Sequence, residues 1–324
     1  MPFPKVLALV GPTASGKTGL SYLIANLIED KLSKEPVIIS ADSRQVYKYI
    51  PISTSCPPLE YLQKFRHYFI GELELNCGFN AGEYGKKARE IVKISLAEGK
   101  IPLIVGGSGL YISSLIYGLF EHDEAVSEEE FKEKQKLIRH RLTQKLEKEG
   151  AEALLDELRK VDSVSAEKMI GVNQRRILRA LEVYYTTGIP ISELQARKID
   201  IGFQTVQFGL KWERSKLYER INNRVEQMLE LGLINEINSL KEKGYNYTEY
   251  NSLNTVGVKE VFDYLSGTLT FERMVELVKQ NTRRFAKRQL TWFRKDKNIK
   301  WIEISGDNDF GAVATDIFQQ FFYS

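Results

Sequence analysis

The chain is poor in the residues that build disulfide frameworks and metal centres. It has two cysteines, Cys56 and Cys77, and three histidines, His67, His122 and His140, among 324 residues. Two cysteines are too few for the disulfide framework of a secreted domain, and neither has the spacing of a metal ligand. The scattered histidines argue against a zinc site. These shortages predict a protein of a reducing compartment, the cytoplasm.

Long apolar runs are also missing from the sequence. The run Val6–Val10 follows Met1–Lys5 and is too short for a secretory signal peptide. No stretch approaches the roughly 20 apolar residues that a membrane helix needs. We therefore expect no membrane partner. The overall balance of 43% hydrophobic and 27% charged residues is that of an ordinary globular protein.

The most informative motif lies near the start of the chain and has the pattern G-x-x-x-x-G-K-[ST] of a phosphate-binding loop. It consists of Gly11, Pro12, Thr13, Ala14, Ser15, Gly16, Lys17 and Thr18. The pattern predicts a buried strand before it, at Val6–Val10, and a helix after it, at Gly19–Ile28. In that context the backbone N–H groups surround a diphosphate, Lys17 reaches the more exposed phosphate, and the Thr18 hydroxyl holds Mg²⁺. The motif does not say whose phosphates bind.

Strand and helix patterns alternate along the first 120 residues. Further buried strands are predicted at Val37–Ser40 and Ile101–Val105, with a short one at Tyr68–Ile70. This alternation predicts an α/β fold, a P-loop NTPase-like parallel sheet core flanked by helices, whose ligands lie at the carboxyl ends of the strands.

The middle of the chain is helical and rich in charge. Ser127 and Glu130 form a capping box that opens a helix ending near Gly150, and a second helix spans 173–187. We predict a smaller all-helical insertion domain at 121–200, and a catalytic core formed by 1–120 and 201–324. The second part of the core is expected to contain strands at 204–210 and 300–304 and helices at 214–231, 233–243, 257–265 and 271–294.

Asp42 follows the second predicted strand, which places a carboxylate beside the phosphate loop. It has three interpretations: a general base near the reacting atom, a residue that holds Mg²⁺ through water, or a helix cap. The third strand ends in Gly106-Gly107-Ser108-Gly109, where nucleotide-hydrolysing enzymes usually place an acid. This turn offers backbone N–H groups, space for a substrate and the Ser108 hydroxyl, although glycines here also fit a plain tight turn.

Positive charge is concentrated near the C-terminal end of the chain. Between Lys279 and Lys297 there are eight Lys or Arg and one acid, whereas the whole chain has a net charge of +3. Arg283 with Lys287, and Arg284 with Arg288, are paired at i, i+4, so they repel one another unless an anion binds. On the same helix we expect Phe285, Leu290 and Phe293 to pack inward. With a second cluster, Gln174–Arg179, this helix could clamp a nucleic acid, although a solvated helix face is the plainer interpretation.

Five motifs together resemble the bacterial tRNA dimethylallyltransferase (tRNA isopentenyltransferase, or IPP transferase) family. They are the phosphate loop, Asp-Ser-x-Gln-Val-Tyr at 42–47, Gly-Gly-Ser-Gly-Leu-Tyr at 106–111, Arg-Ala-Leu-Glu-Val at 179–183 and Ala-Lys-Arg-Gln-Leu-Thr-Trp-Phe at 286–293. They occur in the family's order and span about 10–295 of the chain.

The resemblance implies that a dimethylallyl group passes from dimethylallyl diphosphate to the N6 amine of the adenosine 3′ to a tRNA anticodon, releasing diphosphate. Asp42 is then the base. Lys17, Thr18 and the loop amides neutralise the leaving group, with Mg²⁺ on the same oxygens. Ser108, where the family usually has Thr, orients the reacting groups, and Arg214 reaches the diphosphate.

The resemblance also implies contacts with the anticodon stem-loop of tRNA. The expected residues are Asp42, Ser43, Arg44, Gln45, Gln174, Arg175, Arg176, Ile177 and Leu178, to which the charge pattern adds Arg283 and Lys287. We expect the chain to act as a monomer. It departs from the family's usual motifs at Ile52–Pro57, Gly171–Gln174 and Gly257–Glu260. The alternatives are a small-molecule phosphate-loop kinase, an adenylate (AMP) isopentenyltransferase and a non-catalytic RNA-binding switch.

Overall fold

The computed structural model describes residues 3–118, 128–169, 171–196, 200–306 and 309–323. The chain divides into two compact units, one formed by Met1–Ile116 with Asp200–Ser324 and the other by Tyr117–Ile199. Within the described ranges, no helix is both long and apolar enough to cross a lipid bilayer.

The first unit is built on a six-stranded sheet. Its strands are β1 (Lys5–Val10), β2 (Pro36–Ala41), β3 (Arg66–Tyr68), β4 (Ile101–Gly106), β5 (Gln204–Trp212) and β6 (Ile299–Ile304). Their order in the sheet is β3-β2-β4-β1-β5-β6, and every neighbouring pair is parallel. Parallel neighbours require crossover connections, which the helices between the strands supply. The predicted α/β class with a parallel sheet is confirmed.

The helices follow in chain order. They are α1 (Lys17–Leu32), α2 (Leu59–Lys64), α3 (Ala81–Ala97), α4 (Gly109–Tyr117), α5 (Glu128–Val161), α6 (Ser163–Glu167), α7 (Gln174–Thr187), α8 (Ile191–Ala196), α9 (Arg214–Glu230), α10 (Leu233–Glu242), α11 (Val258–Leu265), α12 (Phe271–Phe293) and α13 (Phe310–Phe322). The helices predicted at 214–231, 233–243, 257–265 and 271–294 are confirmed to within two residues at each end.

The register of the sheet brings three loops to one edge. Val10 of β1 and Ala41 of β2 both pair with Gly106 of β4. These three strands therefore end at the same level. The phosphate loop, the segment after Asp42 and the Gly106–Gly109 turn consequently start side by side.

The core of the first unit lies between the sheet and its covering helices. Leu7 and Leu9 of β1, Leu20 and Ile24 of α1, and Ile317 of α13 belong to one buried cluster. Burial of each such side chain contributes about 1.5–3 kcal/mol. Helix α13, which was not predicted from the sequence, packs against α1. Its apolar face is therefore part of the core that supports the phosphate loop.

The second unit has its own core, formed by α5, α7 and neighbouring helices around Leu154, Leu158 and Leu181. The helix predicted at 173–187 is confirmed: the Asn173 side chain caps its start, and Gly188 ends it at φ 75°. The break near Gly150 is also present, since that residue has φ 82° and a second helical segment continues to Val161. The predicted capping residue Ser127 lies outside the described residues.

One predicted strand is displaced. β3 occupies Arg66–Tyr68, not 68–70. Phe69 has φ 64°, which is incompatible with a strand, and its ring lies 5.0 Å from the ring of Tyr84. Packing of the aromatic side chain therefore overrides the β propensity of Phe69 and Ile70.

Candidate active site

The phosphate loop connects β1 to α1 and turns its backbone through a left-handed residue, Gly16, at φ 91°. A Cβ at this position would also collide with the ring of Phe310. Glycine is therefore required twice, once by the backbone angle and once by the ring packed on it. The Lys17 Nζ atom donates to the Pro12 carbonyl oxygen at 2.7 Å, across the concave side of the loop.

Side chains from β5 and α9 hold the outer surface of the loop. Arg220 donates from Nε to the Ala14 carbonyl at 2.9 Å, and Trp212 donates from Nε1 to the Ser15 carbonyl at 3.0 Å. The C=O and the following N–H of a planar trans peptide point in opposite directions. Fixing these two carbonyls outward therefore aims the next two N–H groups toward the concave side, where an anion would bind.

Aromatic rings fix the guanidinium that makes one of these contacts. The Arg220 guanidinium carbon lies 4.4 Å from the ring centroid of Trp212 and 5.8 Å from that of Phe310. Cation–π attraction to the two rings restricts the side chain to one orientation. Arg220 thus brings positive charge to the loop at little cost in side-chain entropy.

The loop after β2 is tied to the loop after β4. The Asp42 Oδ1 atom accepts from the Arg44 backbone N–H at 2.9 Å, which makes a tight turn. The Ser108 hydroxyl oxygen accepts from the Ser43 backbone N–H at 3.0 Å and lies 3.3 Å from the Ser43 hydroxyl. Ser108 therefore contacts the residue next to Asp42, which fits the orienting role expected of it.

The glycine-rich turn after β4 does not leave free space for a substrate at its glycines. Gln289 donates from Nε2 to the Gly107 carbonyl at 2.9 Å and accepts from the Thr13 backbone N–H at 2.8 Å. A Cβ at Gly109 would collide with the indole of Trp292. The space is filled by α12, whose Gln289 also bridges this turn to the phosphate loop. The expectation of substrate space at the glycines was wrong.

A cavity of about 420 Å³ opens beside these loops. Its polar lining includes Thr13, Asp42, Ser43, Arg44 and Arg224, with Asn281 and Thr282 of α12. Its apolar lining includes Ile221, Val225, Met228, Val256, Val278 and Phe285. A cavity with both surfaces suits a small ligand that has a charged end and a hydrocarbon end.

Two buried cations lie in or next to the polar lining of the cavity. Burial, reinforced by the nearby charge of Arg224, lowers the pKa of Lys17 to about 7, against the opposing effect of Asp42. Burial also lowers the pKa of the Arg224 guanidinium. Two cations that are costly to keep charged in the protein form a site that an anion stabilises.

A further loop, 50–56, completes this lining and is held by Glu236 of α10. The Glu236 carboxylate accepts from the backbone N–H groups of Ile52 at 2.8 Å and Ser53 at 2.9 Å, and from the Ser53 hydroxyl. The Ser55 hydroxyl accepts from Arg224 Nε at 2.8 Å. Ser53 and Ser55, which lie in the segment 52–57 that departs from the family's usual motif, thus have defined hydrogen-bond partners.

The structure does not bring every predicted residue to the cavity. Arg214 is exposed, and its Nε atom donates to the Tyr218 hydroxyl at 3.2 Å. The arginines near the phosphate loop are Arg220 and Arg224, which lie 6 and 10 residues after Arg214 and therefore about 1.7 and 2.8 turns further along α9. They were missed, although Arg220 belongs to the same Arg-x-x-Leu-Tyr-x-Arg-Ile motif as Arg214.

Some residues expected to contact RNA are engaged elsewhere. The Gln45 amide donates to the Thr54 and Ser55 carbonyls at 3.2 and 3.1 Å. Ile177 is fully buried in the core of the helical unit, and Leu178 packs against that core. The Gln45 side chain therefore stabilises a loop, and Ile177 and Leu178 stabilise the helical unit. A direct contact of Ile177 or Leu178 with RNA is not supported.

The remaining predicted contacts are on accessible surface. Gln174, Arg175 and Arg176 are exposed at the start of α7, and Lys287 is exposed on α12. Arg283 is only half-exposed, and its Nη1 atom donates to Asn222 at 2.7 Å. Arg44 donates to the Asn251 carbonyl at 2.5 Å, so it fixes the loop that carries Asn254 in the cavity wall.

The residues present fit a magnesium ion only together with a phosphate ligand. Among the described residues, no group of three or more His, Cys, Asp or Glu side chains could hold a metal. The Ser15 hydroxyl is buried in the phosphate loop without a hydrogen-bond partner, and the Thr18 hydroxyl lies in the first turn of α1. Mg²⁺ prefers oxygen ligands and commonly takes one or two from protein and the others from phosphate and water.

The chain is similar in sequence to known proteins over most of its length. Residues 45–296 match the family described as IPP transferase. A tRNA dimethylallyltransferase of Natranaerobius thermophilus is 42% identical over 300 residues, which are 93% of this chain and 86% of that protein. One of Pelotomaculum thermopropionicum is 40% identical over 316 residues, 96% of this chain and 95% of that protein.

Solved structures resemble this fold over nearly its whole length. The full-length tRNA isopentenylpyrophosphate transferase of Bacillus halodurans has a TM-score of 0.66 and 34% identity, covering 97% of this chain and 95% of that chain. A eukaryotic dimethylallyltransferase acting on tRNA has a TM-score of 0.77 and 27% identity, covering 97% of this chain and 78% of that chain.

Proposed function

The chain belongs to the IPP transferase family, and on this premise we propose that it is a tRNA dimethylallyltransferase. It transfers the dimethylallyl group of dimethylallyl diphosphate to the N6 amine of the adenosine 3′ to the anticodon of a tRNA and releases diphosphate. The relatives' names support the reaction class and the tRNA substrate. The observation that carries the proposal is a cavity whose wall includes both Thr13 of the phosphate loop and Asp42.

The chemistry follows from the two ends of this cavity. The adenosine amine attacks the first carbon of the prenyl group, the bond from that carbon to the diphosphate oxygen breaks, and the amine proton passes to Asp42. Charge grows on the leaving diphosphate during this step. Loop amides, Lys17 and Arg224 stabilise that charge, which is usually the largest contribution to such catalysis, while Arg220 holds the loop in position.

The apolar lining suits the other end of the donor. Ile221, Val225 and Met228 recur at helical spacing along α9 and line the cavity together with Val278 and Phe285 of α12. A branched hydrocarbon of five carbons is stabilised there by loss of contact with water. Exclusion of water also protects the first prenyl carbon from hydrolysis while the diphosphate leaves.

Mg²⁺ belongs to the same proposal. The Thr18 hydroxyl would hold it, with diphosphate oxygens and water as the other ligands. The ion would neutralise negative charge on the diphosphate. We further propose that the chain acts as a monomer in the cytoplasm, and that the exposed residues Gln174, Arg175, Arg176 and Lys287 contact tRNA phosphates.

The test offers unmodified tRNA and free AMP side by side to the purified protein, each with labelled dimethylallyl diphosphate and Mg²⁺. We expect label in tRNA and none in AMP. Label in AMP alone would identify an adenylate isopentenyltransferase. Consumption of ATP to phosphorylate a small metabolite, with tRNA untouched, would identify a kinase.

A further inference from the structure

Helix α12 carries a row of large side chains beside its buried row. Its buried row is Met274, Val278, Ala286, Gln289 and Phe293. On the outer face, Phe285, Arg288 and Trp292 follow at i, i+3 and i+7, and the two aromatic residues are 37% and 43% exposed. Phe285 was expected to pack inward, and that expectation was wrong. We call Phe285, Arg288 and Trp292 the aromatic row.

Each member of the row is held in place by a neighbour. The guanidinium carbon of Arg288 lies 5.7 Å from the ring centroid of Phe285. The Trp292 indole packs its pyrrole edge on Gly109, where a Cβ would collide with it. A fixed aromatic ring loses little conformational entropy when it binds a ligand, so these rings are prepared for contact.

The row starts in the proposed active site and leads away from it. Phe285 and Arg288 both belong to the wall of the cavity that contains Asp42, whereas Trp292 does not. At 1.5 Å of rise per residue, Phe285 and Trp292 are about 10 Å apart along the helix. A single nucleic-acid strand rises roughly 3.4 Å per nucleotide, so the row is as long as about three nucleotides.

Charge indicates what covers the row. From Arg284 to Lys295 the exposed charged residues near this face are all basic, with Arg284, Arg288 and Lys295 among them. A protein partner with an apolar patch would have to bury these cations unpaired. A single-stranded nucleic acid supplies phosphates for the cations and flat bases for the rings, which is the usual pattern of such binding sites.

We propose that the aromatic row is a stacking platform for unpaired nucleobases next to the reacting adenosine. The inference rests on the proposed function and deepens it. The target base enters the cavity past Phe285, and a neighbouring base of the anticodon loop stacks on Trp292. Stacking of that base offsets part of the cost of removing the target from its own stack.

The first test replaces Trp292 and measures binding of the anticodon stem-loop at several salt concentrations. Base–aromatic stacking contributes about 1–3 kcal/mol per base, so W292A should bind roughly 5- to 150-fold more weakly. W292F keeps a ring and should recover most of the affinity. The slope of log affinity against log salt should stay at the wild-type value in both variants, because no phosphate contact is lost.

Phe271 provides the matched control, because it is an exposed aromatic residue at the opposite end of the same helix, also 43% exposed. F271A should bind the stem-loop as the wild type does. Indole fluorescence gives an independent reading on folded protein: RNA should quench it in the wild type, and most of that quenching should disappear in W292F.

Two outcomes would overturn the inference alone. The first is that the wild type modifies tRNA but W292A binds the stem-loop with wild-type affinity. The second is that W292F loses as much affinity as W292A. If the wild type neither binds nor modifies tRNA, the proposed function fails first and the platform fails with it.

Discussion

The Lys17 ammonium donates to the Pro12 carbonyl oxygen at 2.7 Å inside the same loop that would receive a diphosphate. Pro12 also accepts a weaker contact from the Ser15 backbone N–H at 3.4 Å. A carbonyl oxygen therefore stands as acceptor where phosphate oxygens would. A diphosphate offers full negative charge to the same donors, so it should displace this contact and stabilise the charged form of Lys17.

The lowered pKa of Lys17 makes substrate capture depend on pH. With a pKa of about 7 in the free protein, Lys17 loses its proton as the pH rises above neutrality, and the affinity for an anion falls with it. We expect kcat/KM for dimethylallyl diphosphate to decline above about pH 7, since this parameter reports the ionisation of the free enzyme. The measurement is kcat/KM across the neutral to alkaline range at saturating tRNA.

K17R is the control for this pH dependence, because a guanidinium stays protonated throughout the range. The variant should be less active, since the arginine fits the loop poorly, but its kcat/KM should not decline between neutral and alkaline pH. A wild-type profile that stays flat to about pH 9 would show that Lys17 keeps its proton in the free protein.

Replacement of Asp42 separates its chemical role from its structural one. The Asp42 Oδ1 atom holds the turn by accepting from the Arg44 N–H, and asparagine can accept the same hydrogen bond. D42N should therefore keep the turn and tRNA binding while turnover falls by about 10²–10⁴-fold, the usual contribution of a general base. Single-turnover rates and the Kd for tRNA should be measured on the same preparation. Equal losses in both would identify Asp42 as a structural residue.

The sequence predicted this site where local patterns determine the structure. The phosphate loop, Asp42 and Ser108 each follow a buried strand, and the rule that ligands bind at the carboxyl ends of parallel strands brings them together. The parallel register that joins Val10 and Ala41 to Gly106 is what makes this rule apply here.

Contacts between distant parts of the chain could not be predicted in this way. Gln289 bridges the phosphate loop and the Gly107 turn from a helix more than 180 residues further along the chain. The contact of Arg220 with Ala14 depends on rings from β5 and α13, and α13 was not predicted at all. The hydrophobic period of a sequence predicts which face of a helix is buried, but it does not predict which surface packs against that face.

Two arginines of α9 have different positions from those that the sequence predicted. Arg220 contacts the phosphate loop, whereas Arg214 is exposed and contacts Tyr218. R220K should raise KM for dimethylallyl diphosphate by about tenfold, because loss of a charged hydrogen bond costs roughly 1.5–3 kcal/mol and lysine recovers part of it. R214K should stay within about twofold of the wild type, since changes at exposed sites are usually small. Steady-state kinetics at varied dimethylallyl diphosphate concentration give both KM values. A larger increase in KM for R214K than for R220K would support the role predicted for Arg214.

The basic residues of α12 should differ in their contribution to RNA binding. Lys287 is exposed, whereas Arg283 donates to Asn222 and its guanidinium lies 5.9 Å from the ring centroid of Tyr218. If Lys287 contacts a phosphate, K287Q should flatten the salt dependence of tRNA binding by about 0.7–0.9 in the slope of log affinity against log salt. R283Q should change that slope less, because the wild-type guanidinium is already engaged within the protein. Equal changes in the two slopes would mean that Arg283 leaves Asn222 and contacts RNA on binding. Unchanged slopes in both variants would mean that neither residue contacts an RNA phosphate.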